Sequence, residues 1–356
     1  MKNKLIILII LLLLILGSLW LYSAFRPEEA AEAPVQTVVP TADPIPTTTP
    51  EPIVLTLAHC LEQNGSLDIA ADRWAERVND LTDGQLTIEI YPQAQLFNEQ
   101  GGREAVRSGQ VDIIIADIND FAAYVPACEL YSLPFLFTGY PDAAKLLYGD
   151  VGAQIDMELE IQCGVKPLGW AWNGFRELYM PGWANSVYTC ANINMRCGGD
   201  EISLDTFRLL GMNPQVISWS KTYAAIEDGT VDGAEVRLKN LYDENYVRLG
   251  KQLVISRHRL SVAGPVFNSA VWNGLDNNLK DILQKTWFEC REELNDTVSI
   301  SEDALAAKLV ELGCNWVEFG VRADNVRTFS PYWADRAASG GYSGLLNTAL
   351  RRLGIE

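Results

Sequence analysis

Two histidines (His59 and His258), seven cysteines and 46 acidic residues are the material from which this 356-residue chain could build chemistry. None of them falls into a reactive spacing. There is no C-x-x-C, and two histidines are too few for the usual zinc sets, so no metal and no cofactor are expected. G-x-S-x-G, the phosphate loop, G-x-G-x-x-G and H-E-x-x-H are all missing. Ser343 sits among glycines but lacks the flanking pattern of a nucleophile. An acid–base catalyst would have to be a pair of carboxylates, and the aspartates and glutamates are spread along helices with no marked pair. The cysteines read as buried structural residues. A bridge between Cys190 and Cys197, or between Cys290 and Cys314, is compatible with the sequence but not readable from it.

Charge narrows the field further. A formal net charge of −18 argues against nucleic acid and against a basic membrane-binding patch. An acidic chain does not draw anions by its overall field, so an anion site must rest on a few local cations. Salt screens distant charges over about 8 Å, which lets such a cluster prevail.

The elements that must position these residues follow from periodicity. Lys2 and Lys4 precede an uncharged run over 5–25, with Arg26 after it. This has the form of an export signal, long enough to span a bilayer. Residues 1–26 are therefore read as a signal or anchor, with the N-terminus inside. Either the segment stays, or it is cut after Ser23 or Ala24. No cysteine precedes Cys60, which excludes a lipid-anchored mature N-terminus. Residues 27–52, rich in Pro, Thr, Ala and Glu, read as an extended tether. Roughly 300 residues remain, enough for two α/β lobes.

A strand is predicted over 53–58, then a helix capped at Ser66 or Asp68, a strand alternating through Leu86, Ile88 and Ile90, a helix over 99–108, and a buried strand over 111–116. The phrase returns as a strand over 193–196, a helix ending at Gly211, a strand over 216–219, and a helix capped at Ser220. Both halves carry G-x-V-D, at Gly109–Asp112 and Gly229–Asp232. Two lobes of similar build with largely parallel sheets would face each other across a cleft, a usual place for a small molecule. Residues 276–312 contain neither Gly nor Pro and read as one long helix or two abutting ones. Trp316 and Val317 suggest a short strand, and terminal helices follow with a break at Gly340-Gly341.

Several phrases, in order, resemble one family. They are Tyr91-Pro92 with Gln95-Leu96, Glu104 to Asp112 (EAVRSGQVD), Leu133 to Phe137 (LPFLF), Asn173 to Arg176 (NGFR), Met195-Arg196, Asp205 to Pro214 (DTFRLLGMNP), Tyr223 to Ile226 (YAAI) and Val231 to Glu235 (VDGAE). Over about 53–335 the chain resembles the extracytoplasmic solute-binding subunits of TRAP transporters, the DctP family. The resemblance implies a two-lobed α/β fold, like that of type II periplasmic binding proteins, with a long helix across both lobes. Lobe 1 would take 53–174 and lobe 2 175–260, with a return through 261–356. It also implies a ligand in the interlobe cleft, with Arg196 pairing with its carboxylate. A guanidinium suits that task because its planar fork matches a carboxylate and stays charged when desolvated. By the same resemblance Arg176 contacts the ligand or orients Arg196, Trp219 forms an aromatic wall, and Asp117 and Cys60 make polar contacts from the first lobe. Asp117 would meet ligand hydroxyls or balance Arg176. His59, beside Cys60, would be a contact or a buried structural residue.

The chain departs from the family where an Asn-Pro usually follows Glu235. Here Val236 and Arg237 stand instead, so the clamp is altered, and Arg237 either compensates or points to solvent. Lys221 replaces a common Glu, and Cys197 with Gly198-Gly199 replaces a Val-Pro. The expected function is extracytoplasmic capture of a small organic anion for a TRAP permease, without enzymatic activity and with membrane contact through the N-terminal segment only. A sensing subunit for a membrane receptor, or an anchored hydrolase using two carboxylates, are the alternatives.

Overall fold

The computed structural model describes residues 51–61 and 64–355. The expected signal or anchor over 1–26, and most of the tether over 27–52, lie outside the described residues. Among the described residues no helix is long and apolar enough to cross a membrane.

Ten strands form one continuous sheet: β1 (Ile53–His59), β2 (Leu86–Tyr91), β3 (Ile113–Asp117), β4 (Val165–Pro167), β5 (Ala171–Met180), β6 (Asn194–Cys197), β7 (Asn213–Val216), β8 (Gly233–Val236), β9 (Gln252–Asn268) and β10 (Trp316–Glu318). The path runs β2-β1-β3-β9-β5-β8-β6-β7, with β4 and β10 joined to β9. Within the first lobe β1 pairs parallel with β2 and β3, and within the second β6 pairs parallel with β7 and β8. The two long strands β5 and β9 join these halves, pairing antiparallel with each other. This is the two-lobed α/β architecture expected from the sequence.

The repeated G-x-V-D has a physical basis. Asp112 Oδ2 accepts the Thr56 N–H on β1 at 2.8 Å, and Asp232 Oδ2 accepts the Asn194 N–H on β6 at 2.8 Å. In each lobe the aspartate closes a backbone donor of that lobe's central strand. The glycine before it, Gly109 or Gly229, has φ near +80°, where a side chain would be strained.

Residues 277–311 form a single helix, Asn277–Glu311, begun by the Asp276 carboxylate accepting the Leu279 N–H. It grips the crossing strand β5. Pairing of β5 with β9 shifts register between Trp172 and Phe175. Such a bulge leaves backbone donors without sheet partners. Asn295 Oδ1 takes the Trp172 N–H at 2.8 Å and Glu302 Oε1 takes the Phe175 N–H at 3.1 Å. Toward the first lobe, the Trp74 indole donates to Leu283 O and Thr286 Oγ1 of the same helix.

Three readings need correction. The strand expected over 216–219 is Asn213–Val216, and Trp219 is the first residue of the helix Trp219–Glu227, with Ser218 rather than Ser220 at its N-cap. The first helix, Ser66–Leu81, follows Gly65 and has no side-chain cap; Asp68 turns back to accept the Asn64 N–H. All seven cysteines are free thiols, six of them buried, so neither candidate bridge forms.

Candidate functional site

Five neighbouring strands, in the order β3-β9-β5-β8-β6, each bring a polar group to the middle of the sheet: Asp117, Arg259 with Ser261, Arg176, Glu235 and Arg196. Register sets the cluster. Arg176 stands opposite Arg259, Leu178 opposite Glu235, and Arg196 opposite Ala234.

Arg196 is 6% exposed. Its Nε donates to Ile217 O at 2.8 Å, which fixes the guanidinium plane, and its Cζ lies 5.3 Å from the Trp219 ring centroid. Among the described residues it has no carboxylate within salt-bridge distance. Burial presses its pKa down, against the pull of Glu235 and with the push of Arg176, yet an arginine keeps its charge. A desolvated cation whose terminal nitrogens lack an anion is prepared to receive one.

Around it lies a charge network centred on Glu235, which is 1% exposed. Burial alone would raise this carboxyl, but Arg176, His258 and Arg259 outweigh it and hold it well below the usual carboxylate range. Arg176 Nη1 lies 3.9 Å and His258 Nε2 3.5 Å from its oxygens, and Ser203 Oγ donates at 3.2 Å. Burial lowers the pKa of His258 despite Glu235, so the ring is neutral near pH 7, with Nδ1 2.8 Å from Ser256 Oγ. Arg259 donates to Asp200 Oδ1 and Ser203 Oγ, both at 2.7 Å. Arg176, Arg196, Arg237 and Arg259 thus face Glu235, Asp117 and Asp200 with one positive charge in excess. In a chain of net charge −18 this is a local reversal of sign.

The remaining expected residues take different places. Arg237 turns inward, where burial and then Arg176 push its pKa down to about 10. It donates to Ser261 Oγ at 3.4 Å, and its buried Nε has no partner among the described residues. Asp117 accepts from Ser261 Oγ at 2.5 Å and caps Asn119 N–H, so its partner is Ser261 rather than Arg176. Trp219 stacks on Tyr246 with centroids 5.4 Å apart and gives its indole N–H to Glu244, which leaves only ring surface for a ligand. Cys60 donates to Phe97 O, and burial followed by Glu99 and Asp120 raises its pKa, keeping the thiol protonated. His59 is a lobe-1 residue: its Nε2 lies 3.2 Å from Asp68, Nδ1 accepts the Leu61 N–H, and burial keeps it neutral. Val236 is a core residue, 1% exposed among Ile226, Tyr246 and Leu253. Successive strand residues point to opposite faces, so Glu235 takes the polar side and Val236 the apolar one.

Arg259, Ser261, His258 and Glu235 were not singled out from the sequence as site residues. The readable signal was the polar run Arg257-His258-Arg259 within an otherwise apolar strand.

Residues 57–338 match the family described as bacterial extracellular solute-binding protein, family 7. The chain is 26% identical over 250 residues to the C4-dicarboxylate-binding periplasmic protein DctP of Rhodobacter capsulatus, covering 69% of this chain and 74% of that one. It is 28% identical over 257 residues to the 2,3-diketo-L-gulonate-binding periplasmic protein YiaO of Escherichia coli, covering 70% and 76%. A crystal structure of a TRAP periplasmic solute-binding protein from Ochrobactrum anthropi, its own C-terminus in the ligand pocket, superposes with a TM-score of 0.80 at 19% identity, covering 85% of this chain and 95% of that one. Another from Sulfurospirillum deleyianum, with bound succinate, gives 0.70 at 22% identity, covering 83% and 97%.

Proposed function

The chain belongs to family 7 of the bacterial extracellular solute-binding proteins, and from that premise we propose that it captures a small organic carboxylate between its lobes and delivers it to a TRAP-type permease. Lobe 1 comprises 53–174, lobe 2 175–260, and the chain returns through 261–356. The protein works outside the cytoplasm, held to the membrane by its N-terminal segment or released from it. One observation carries this reading: the buried guanidinium of Arg196, fixed by Ile217 O and lacking a carboxylate among the described residues. Arg196 clamps the carboxylate against the Trp219 ring. Arg176 and Arg237 supply further positive charge, and Ser261 with Asp117 meets hydroxyl or keto groups. The names of its relatives point to dicarboxylates and sugar acids as the first ligands to try.

A thermal-shift screen against succinate, 2,3-diketo-L-gulonate, glucuronate and related acids tests this. A ligand at about 100 times its Kd adds about 2.7 kcal/mol to stability by mass action. Absence of any shift across organic acids, with shifts for neutral sugars or cations instead, would overturn the reading.

A further inference from the structure

Between β5, β9 and the long helix Asn277–Glu311 lies a cavity of about 350 Å³, with Phe175 and Glu177 of β5 in its wall and none of the four clustered arginines. That volume falls in the range of small-molecule sites, roughly 300–1,000 Å³. Its chemistry is opposite to that of the cleft. Glu177, Glu302, Asp303 and Glu318 bring four carboxyls to its wall, against the one guanidinium of Arg257, which lies 3.4 Å from Glu318. Tyr140, Phe175 and Trp316 supply aromatic surface.

Glu177 makes this more than a scatter of acids. It is 3% exposed. Its Oε2 accepts the N–H groups of Ser256 and Arg257, at 2.5 and 2.8 Å, where β9 breaks register and Arg257 takes a φ of +43°. Its other oxygen, Oε1, meets no donor among the described residues, although the residue lines the cavity. Tyr140 Oη, buried in the same wall, turns toward Glu302. Burial, then the repulsion of Glu302, pushes the Glu177 carboxyl up to about 7, and Glu302 is raised as well. These carboxyls are short of positive charge. No group of three or more His, Cys, Asp or Glu among the described residues is arranged to hold a metal ion. Aromatic faces beside carboxylates suit an alkylammonium, which gains from both.

We propose that this cavity is a second ligand site, separate from the carboxylate cleft, which binds a small organic ammonium ion through Glu177 and Glu302 against the faces of Tyr140 and Trp316. The site stands whatever acid the cleft takes, and its failure leaves the carboxylate reading untouched.

Calorimetric titration of the whole chain with putrescine and n-butylammonium, with sodium chloride at matched ionic strength as control, tests it. Saturable binding of at least one ammonium at one per chain is expected. That binding weakens by at least about tenfold in Glu302→Gln, whose amide oxygen can still accept the Phe175 N–H. No saturable uptake of either ammonium, equal competition by sodium, or undiminished affinity in Glu302→Gln would overturn the proposal.

Discussion

Replacing Arg196 separates a binding role from a structural one. Among the described residues the guanidinium makes one hydrogen bond, to Ile217 O, and it faces the Trp219 ring. Against these stand its desolvation and the repulsion of Arg176. Arg196→Ala therefore forfeits about 1–3 kcal/mol of hydrogen bonding and cation–π attraction while relieving an uncompensated buried charge. The unfolding free energy is expected to stay within about 1–2 kcal/mol of the parent, in either direction. Ligand binding has no such offset. Truncating one partner of a buried charge pair costs about 2–5 kcal/mol, which raises Kd by about 30- to 5,000-fold. Arg196→Lys keeps the charge but loses both the bond to Ile217 and the fork, and should cost about 1.5–3 kcal/mol of affinity. Urea unfolding gives the first quantity, and calorimetry with the best acid from the screen gives the second. Unchanged affinity in Arg196→Ala, or a loss of affinity matched by an equal loss of stability, would refute the clamp.

Three further outcomes follow from the same geometry. The Glu177 carboxyl is raised from its ordinary 4.5 to about 7 by burial, so the folded state holds a proton that the unfolded chain gives up. Its contribution is complete below pH 4.5 and fades as pH rises to about 7, a loss of about 3 kcal/mol. Glu177→Gln, whose amide oxygen can still accept both backbone N–H groups, should match the parent at pH 4.5 and exceed it at pH 8; parallel urea midpoints across that window would contradict this. Asp112→Ala and Asp232→Ala each strand one backbone donor, of Thr56 or Asn194. Each should cost about 1–3 kcal/mol by urea unfolding, with similar values at the two sites because the geometry is the same. In Gly233→Ala the new Cβ would lie 2.3 Å from Tyr179 O, a backbone atom on β5 that cannot yield. A loss of about 3 kcal/mol or more is expected in thermal or chemical unfolding, and a stability equal to the parent's would show that β5 and β8 separate easily.

The secondary elements were legible because their signals are local. The helix Glu99–Ser108 and the helical nature of 276–312 follow from stop residues and from the lack of Gly and Pro. The repeated G-x-V-D showed two lobes, although its task of closing one donor in each central strand was visible only in the structure. The position of Trp219 was misread because Val216 to Trp219 is apolar enough for a strand, while the helix starts where the chain leaves β7.

Composition and order of residues determined that an anion site in this acidic chain would need a few concentrated cations, and the ordered phrases singled out Arg176 and Arg196, which the structure brings into one charge cluster. Only the tertiary structure decided which other groups join them. Glu235, His258, Arg259 and Ser261 meet because β9 crosses between the lobes, and the register of β8, β5 and β9 sets residues distant in sequence within hydrogen-bonding reach. The same register turned Val236 into the core and drew Arg237 inward. A one-residue shift along a strand reverses which side chains share a face, and pairing between distant strands is a property that no local stretch of sequence contains.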